Sequence, residues 1–248
     1  MRYLIISDLH ANWEALEAVL ATTDGEYSEV ICCGDLVGYG ADPDPVVDWV
    51  RAHVSTVVRG NHDRVCCGID DPEEFNENAR KAAYWTRDQL KPQNLQYLRD
   101  LPQGPLDISG RFEILHGSLR DEDEYVTSSW EASESFKLLQ HPVAFFGHTH
   151  LQGGFFQLAD RPVESLGVAV GRNKTRRILE LRGNITYFLN PGSVGQPRDS
   201  DSRAAFAIYD TMGFVEYGRV TYDITTAMNK IRQANLPEYL AHRLSVGR

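Results

Sequence analysis

Five apolar runs in this chain end in side chains that can bind a metal. "YLIIS" leads into Asp8-Leu9-His10, "VICC" into Gly34-Asp35, and "TVVR" into Gly60-Asn61-His62-Asp63. "FEIL" leads into His116-Gly117 and "VAFF" into Gly147-His148-Thr149-His150. Imidazole and carboxylate together suit divalent transition metals. A single histidine at a strand end is more often a packing residue than a ligand. Here five of the eight histidines stand at such endings, while His53, His141 and His242 have no such company and read as structural or solvated. In open α/β sheets, ligands collect beyond the carboxyl ends of the strands. The five endings therefore predict one metal site, and glycines beside Asp35, Asn61, His116 and His148 would let the backbone turn sharply there.

The elements that must carry these endings are visible in the pattern. Strands are expected at 2–7, 29–33 and 55–59, with helices between them at 12–20 and 42–53, the second opening on prolines where a missing N–H costs little. Residues 70–101 change character and read as two helices, stopping before Pro92 and Pro102. This insert could cap the main body or pack on its flank. Strands resume at 105–108, 111–116 and 143–148, with a helix at 130–140, and beyond Leu151 the pattern becomes rich in hairpins. A last helix at about 225–235 leads into the C-terminal tail. One domain is expected over 1–248, with two packed sheets and helices outside.

Composition sets limits. A net charge of −10 argues against a nucleic-acid or acidic-membrane surface, so an anionic substrate would need a strong local positive source. No apolar run resembles a signal peptide or a membrane span. Cys32-Cys33 and Cys66-Cys67 are adjacent pairs, read as small buried residues of a cytoplasmic protein rather than as disulfides. Nothing in the sequence fixes an oligomeric state.

The ordered series Asp8-x-His10, Gly34-Asp35, Gly60-Asn61-His62-Asp63, His116 and Gly147-His148-x-His150 resembles the calcineurin-like metallophosphoesterases, and "NPGSVGQPRD" (190–199) resembles a segment of their small prokaryotic members. The resemblance implies a four-layer α/β/β/α sandwich of two mixed sheets. It also implies two divalent ions: one held by Asp8, His10, Asp35 and His150, the other by Asp35, Asn61, His116 and His148, with Asp35 bridging. A carboxylate between two cations offsets part of their repulsion. Two dications against two aspartates leave the centre positive, which supplies the missing attraction for phosphate. Four imidazoles with oxygen donors favour Mn, Fe, Co, Ni or Zn over Mg or Ca.

The reaction implied is attack of a metal-bridging hydroxide on phosphorus, with His62 as general acid at the leaving group. Asp63 reads as a cap of the turn, and Asn12 as a support behind the ligands. Arg59 occupies a position that grips phosphate in related phosphatases, although an arginine at a strand end is as often a surface residue. Arg198 and Ser193 are further candidates, and Arg172, Lys174, Arg176 and Arg177 read as a solvated hairpin tip. The substrate expected is a small phosphodiester, phosphomonoester or nucleotide. Dinucleoside-polyphosphate hydrolases and protein serine/threonine phosphatases typically continue with Asp-Arg-Gly, where this chain has Gly38 and Tyr39. A non-catalytic scaffold would be expected to lose ligands that are all present here, and a nuclease sits poorly with the acidic charge.

Overall fold

A computed structural model describes residues 1–167, 170–171 and 173–248. Its first half runs β1 (Arg2–Ile6), α1 (Trp13–Thr23), β2 (Glu29–Cys32), α2 (Pro43–His53), β3 (Thr56–Val57), α3 (Asn61–Cys67), α4 (Glu77–Gln89), α5 (Pro92–Asp100), β4 (Leu106–Ile108), β5 (Phe112–Ile114), α6 (Ser129–Phe136) and β6 (Val143–Phe145). There follow β7 (Gly153–Leu158), β8 (Glu164–Leu166), β9 (Arg176–Glu180), β10 (Ile185–Asn190), β11 (Ala204–Asp210), β12 (Phe214–Val220), α7 (Ile224–Gln233) and α8 (Glu238–Val246).

The strands form two six-stranded mixed sheets, ordered β3-β2-β1-β11-β12-β9 and β4-β5-β6-β10-β7-β8. Both sheets mix pairings: β1 pairs parallel with β2 but antiparallel with β11, and β6 pairs parallel with both β5 and β10 while β4 and β5 are antiparallel. The hairpin-rich second half is thus shared between both sheets.

Period-two alternation along β1 explains the layers. Tyr3 and Ile5 point between the sheets, where they meet Phe112, Ile114, Phe145 and Leu189. Leu4 and Ile6 point outward to Leu16 and Val19 of α1 and Val46 and Val50 of α2. On the other side, α6 covers the second sheet through Ala132 and Phe136 against Phe146 and Phe188. Each Leu, Ile, Val or Phe side chain among them contributes roughly 1.5–3 kcal/mol when fully buried. The result is the expected α/β/β/α sandwich.

The insert at 70–101 packs against the first half of the chain. Its helices are tied to α2 and α3: Asn94 donates to Asp44 at 2.6 Å and to Asp48 at 2.9 Å, and Arg99 donates to the Cys67 carbonyl at 2.9 Å. Ile69, Asp70, Phe75 and Asn76 at its entry and Ala79 of α4 border the site. Two short helices escaped the sequence pattern, α3 directly after Gly60 and α8 in the expected tail. Within the hairpin-rich part, β8 covers Glu164–Leu166, and Val168 and Ala169 lie outside the described residues. The basic tip also differs. Arg176 is anchored to Glu26 at 2.7 Å and Glu216 at 2.8 Å rather than solvated, and Arg172 lies outside the described residues.

Candidate metal centre

The carboxyl ends of β1, β2 and β3 meet those of β5 and β6 across the top of the sandwich, and the loops there are laced together by backbone bonds. Asp8 N donates to the Gly34 carbonyl at 2.9 Å, His10 N to Asp35 at 3.0 Å, and Gly147 N to His116 at 2.8 Å. The donor residues themselves absorb the turns. Asp8, His10, Asp35, His148 and His150 have φ of 54°, 46°, 54°, 65° and 61°, the left-handed region that costs a non-glycine residue about 1–2 kcal/mol. The neighbouring glycines serve closeness more than turning. A Cβ on Gly60 would overlap the Asp35 carboxylate, and one on Gly147 would overlap Ser7 Oγ.

Two groups of ligand atoms result. Asp8, His10, Asp35 and His150 form one, and Asp35, His116 and His148 the other; within each, the atoms lie within 4.8 Å of one another and every residue is buried. Asp35 belongs to both. Asn61 joins the second group, its Oδ1 standing 3.3 Å from His116 Nε2.

The hydrogen bonds fix which ring nitrogens are free. His10 Nδ1 lies 3.0 Å from the Val37 carbonyl, His150 Nδ1 2.6 Å from Gln196 and His116 Nδ1 2.8 Å from Cys33, so each Nδ1–H donates and each Nε2 keeps a lone pair. His148 is reversed, with Nε2 on the Asp123 carbonyl at 3.0 Å. Two such lone pairs then face each other: His10 Nε2 and His150 Nε2 are 3.1 Å apart. Asp35 Oδ2 adds an acceptor 3.6 Å from His10 and 3.5 Å from His116, and Asp8 Oδ2 is buried without a hydrogen-bond partner among the described residues. Acceptors converging without a donor repel one another, and a cation relieves that. The residues fit a bound metal. Nitrogen and oxygen donors 3.1–3.6 Å apart are spaced as donors to one ion would be.

Protonation agrees. Burial pushes His10 well down, His150 down and His148 down to about 3, keeping them neutral as ligands require. Burial acts on His116 too, but Asp35 and its hydrogen bond outweigh it and lift the ring to about 10. Without a cation, the centre would capture a proton at His116. His62, whose Nδ1 has no partner among the described residues, is pushed down to about 4 by burial.

The structure brings together all seven proposed ligands and His62. Asp63 caps α3, Oδ2 accepting from Gly60 N at 2.9 Å and Oδ1 from Leu36 N at 2.8 Å, and burial beside Asp35 raises it to about 7. Asn12 Nδ2 donates to the Gly195 carbonyl at 2.8 Å, tying α1 to the 190–199 loop, where Ser193 Oγ donates to the Asp8 carbonyl at 2.8 Å. Arg59 is not at the centre's mouth: its guanidinium is spent on Glu122, at 2.9 and 2.7 Å, and on Gln103. Not assigned to the site from sequence were Tyr39, packed at 4.4 Å from His62 and 4.6 Å from His10, Tyr125, stacked at 3.9 Å on His148, and Phe75, 4.6 Å from His62. Only Tyr39 carried a signal, as the residue breaking the expected Asp-Arg. Over these side chains opens a cleft of about 910 Å³, lined also by Asn61, Arg64 and residues 69–76.

The family model described as calcineurin-like phosphoesterase superfamily domain matches residues 1–213. Protein MJ0912 of Methanocaldococcus jannaschii is 34% identical over 250 residues, covering 98% of this chain and 97% of that protein. A crystal structure of a metallophosphoesterase from Sphaerobacter thermophilus is 38% identical with a TM-score of 0.84, covering 100% of this chain and 99% of that one. Hypothetical protein PH1004 from Pyrococcus horikoshii OT3 shares the fold at 18% identity and a TM-score of 0.77, covering 100% and 98%. With the donor constellation in place and the family model spanning most of its length, this chain belongs to the calcineurin-like phosphoesterase superfamily and is a metal-dependent phosphoesterase.

Proposed function

We propose that the protein hydrolyses small phosphate mono- or diesters at a two-ion centre, one ion held by Asp8, His10, Asp35 and His150 and the other by Asp35, Asn61, His116 and His148. The observation that carries this is the opposition of His10 and His150 lone pairs at 3.1 Å beside a second donor group sharing Asp35. When bound, the ions supply a nucleophile near neutral pH and positive charge for the phosphoryl oxygens. The chain's own residues do the rest. The carbonyls of Val37, Gln196 and Cys33 hold three rings in the ligating tautomer. His62 donates a proton to the leaving oxygen. Its ring is wedged between Tyr39 and Phe75, and its backbone N–H donates to Asp35 Oδ1 at 2.9 Å, so it is aimed without being a ligand. Burial disfavours its charged form, and an anionic ester alongside restores its proton affinity.

Tyr39 stands where protein phosphatases and dinucleoside-polyphosphate hydrolases place a cation beside a carboxylate, which favours small esters over those substrates. Mn, Fe, Co, Ni and Zn all suit the donors. Free, buried thiols at all four cysteines support a reducing cytoplasm. The test is a panel of small phosphate mono- and diesters offered to stripped protein with Mn²⁺, Ni²⁺, Zn²⁺ or Mg²⁺ added separately. Turnover restored by the transition metals at two ions per chain is expected. Bound ions with no ester hydrolysed would leave a scaffold instead.

A further inference from the structure

Arg198 is an arginine with nothing anionic to hold. Its Nη2 lies 3.4 Å from both the Tyr39 hydroxyl and Gln196 Oε1, long contacts to neutral oxygens, and it shares a further hydrogen bond with the Tyr125 hydroxyl. Its Nε is buried without an acceptor, and no carboxylate pairs with it among the described residues. Four other guanidinia are held by carboxylates: Arg59 by Glu122, Arg64 by Asp70, Glu122 and Asp123, Arg219 by Asp199, and Arg203 by Asp201. A largely buried cation without a counter-charge is costly, and a guanidinium offers a planar fork of donors matched to a tetrahedral oxyanion.

Its position points the same way. Tyr39 packs on His10 and His62, Tyr125 stacks on His148, and Arg198 joins their two hydroxyls, spanning both donor groups. Its backbone N–H donates to the His150 carbonyl at 3.3 Å, two residues after Gln196, whose carbonyl holds the His150 ring. A second guanidinium, Arg243 of α8, lies 5.6 Å from the same Tyr39 ring. Resting on the phosphohydrolase reading above, we propose that Arg198, steadied by Tyr39 and Tyr125, grips the phosphoryl oxygens of the substrate, replacing the cation missing at Gly38-Tyr39.

Inorganic phosphate, which shares that oxyanion, is the probe. Binding of phosphate to Mn²⁺-loaded full-length protein is measured by calorimetry for wild type, R198A, R198K and R59A, with metal content checked by mass spectrometry. Loss of charge-assisted bonds is expected to weaken phosphate about 10- to 150-fold in R198A, and less in R198K, with metal content unchanged. Unchanged affinity in both Arg198 variants overturns the assignment, as does a loss confined to R59A. Should R198A fail to fold, R198K carries the test. Wild-type protein that binds phosphate through Arg198 but turns over no ester defeats the phosphohydrolase reading alone, and wild type that binds no phosphate defeats both.

Discussion

Asp35 is the side chain on which the two-ion proposal turns, because it alone is shared by both donor groups. Asp35→Asn keeps the shape and keeps an oxygen that can accept from His62 N, now at 2.9 Å, but removes one negative charge. At an effective dielectric of about 20, a unit pair 4 Å apart is worth about 4 kcal/mol. Asp35 Oδ2, only 3.5–3.6 Å from the free nitrogens of His116 and His10, would lie nearer than that to ions bearing two charges each. The retained amide oxygen and the desolvation of the carboxylate offset part of this. Groups that merely orient a ligand are worth 10- to 100-fold in metal affinity, so a bridging charge should exceed about 100-fold, or about 2.7 kcal/mol. The assay is metal titration of stripped wild-type and D35N protein by calorimetry, with ion counts by mass spectrometry. D35N is expected to hold at most one ion tightly and to lose turnover in proportion. Two ions bound by D35N at wild-type affinity would refute the bridging role. Folding of the stripped variant separates this from general damage, since burying a neutral amide beside Asp8 and Asp63 removes repulsion as well as attraction.

His62→Ala is expected to leave both ions in place and to slow esters with poor leaving groups about 10²- to 10⁴-fold, while aryl esters with acidic leaving groups suffer far less; an equal loss on both would end the general-acid assignment. Phe75→Ala opens the cleft wall beside His62 and should alter preference among bulky esters while sparing a small aryl phosphate, as KM ratios across a substrate series would reveal. In stripped protein, stability should peak near pH 6.5. Below it the unfolded chain takes up protons that buried His10 and His150 refuse, as do His62 until about pH 4 and His148 until about pH 3, outweighing the opposite effect of Asp63. Above it, folded His116 keeps a proton until about pH 10 that the unfolded chain releases, and urea midpoints that do not fall on both sides would contradict these protonation states.

The ligands were legible because each follows an apolar run, and the run is what a buried strand needs. Alternation along β1 and β2 carried the sandwich in the same way. Less visible were features set by contacts distant in sequence. Helix α3 is too short for its periodicity to show, although its ends are marked locally by Asp63 and by Gly68 at φ 83°. Tyr39 and Tyr125 acquire their roles only by stacking on rings from other loops. Arg59 and Arg198 show the limit most plainly. Both are arginines near an Asn or Pro turn, and only their partners, Glu122 for one and neutral oxygens for the other, tell a structural cation from an available one.

The left-handed residues bear on how the centre comes to exist. Five donors each sit in a region costing about 1–2 kcal/mol, and a bound ion is one means of holding them there. The backbone lattice is another: Asp8 N, His10 N and Gly147 N are each bonded to a carbonyl of a neighbouring loop, and Gly195 N donates to the Asp8 carbonyl at 2.9 Å. None of these bonds uses a ligand atom. The strain is therefore balanced by bonds that persist when the donors change protonation or lose a metal, and each net bond of about 0.5–1.5 kcal/mol is comparable to the cost of one such residue. A site held this way is built before the ion arrives, so metal binding need not order the loops and its affinity is set mainly by charge and donor spacing. That is why the Asp35 charge, rather than loop rigidity, should dominate the metal titration.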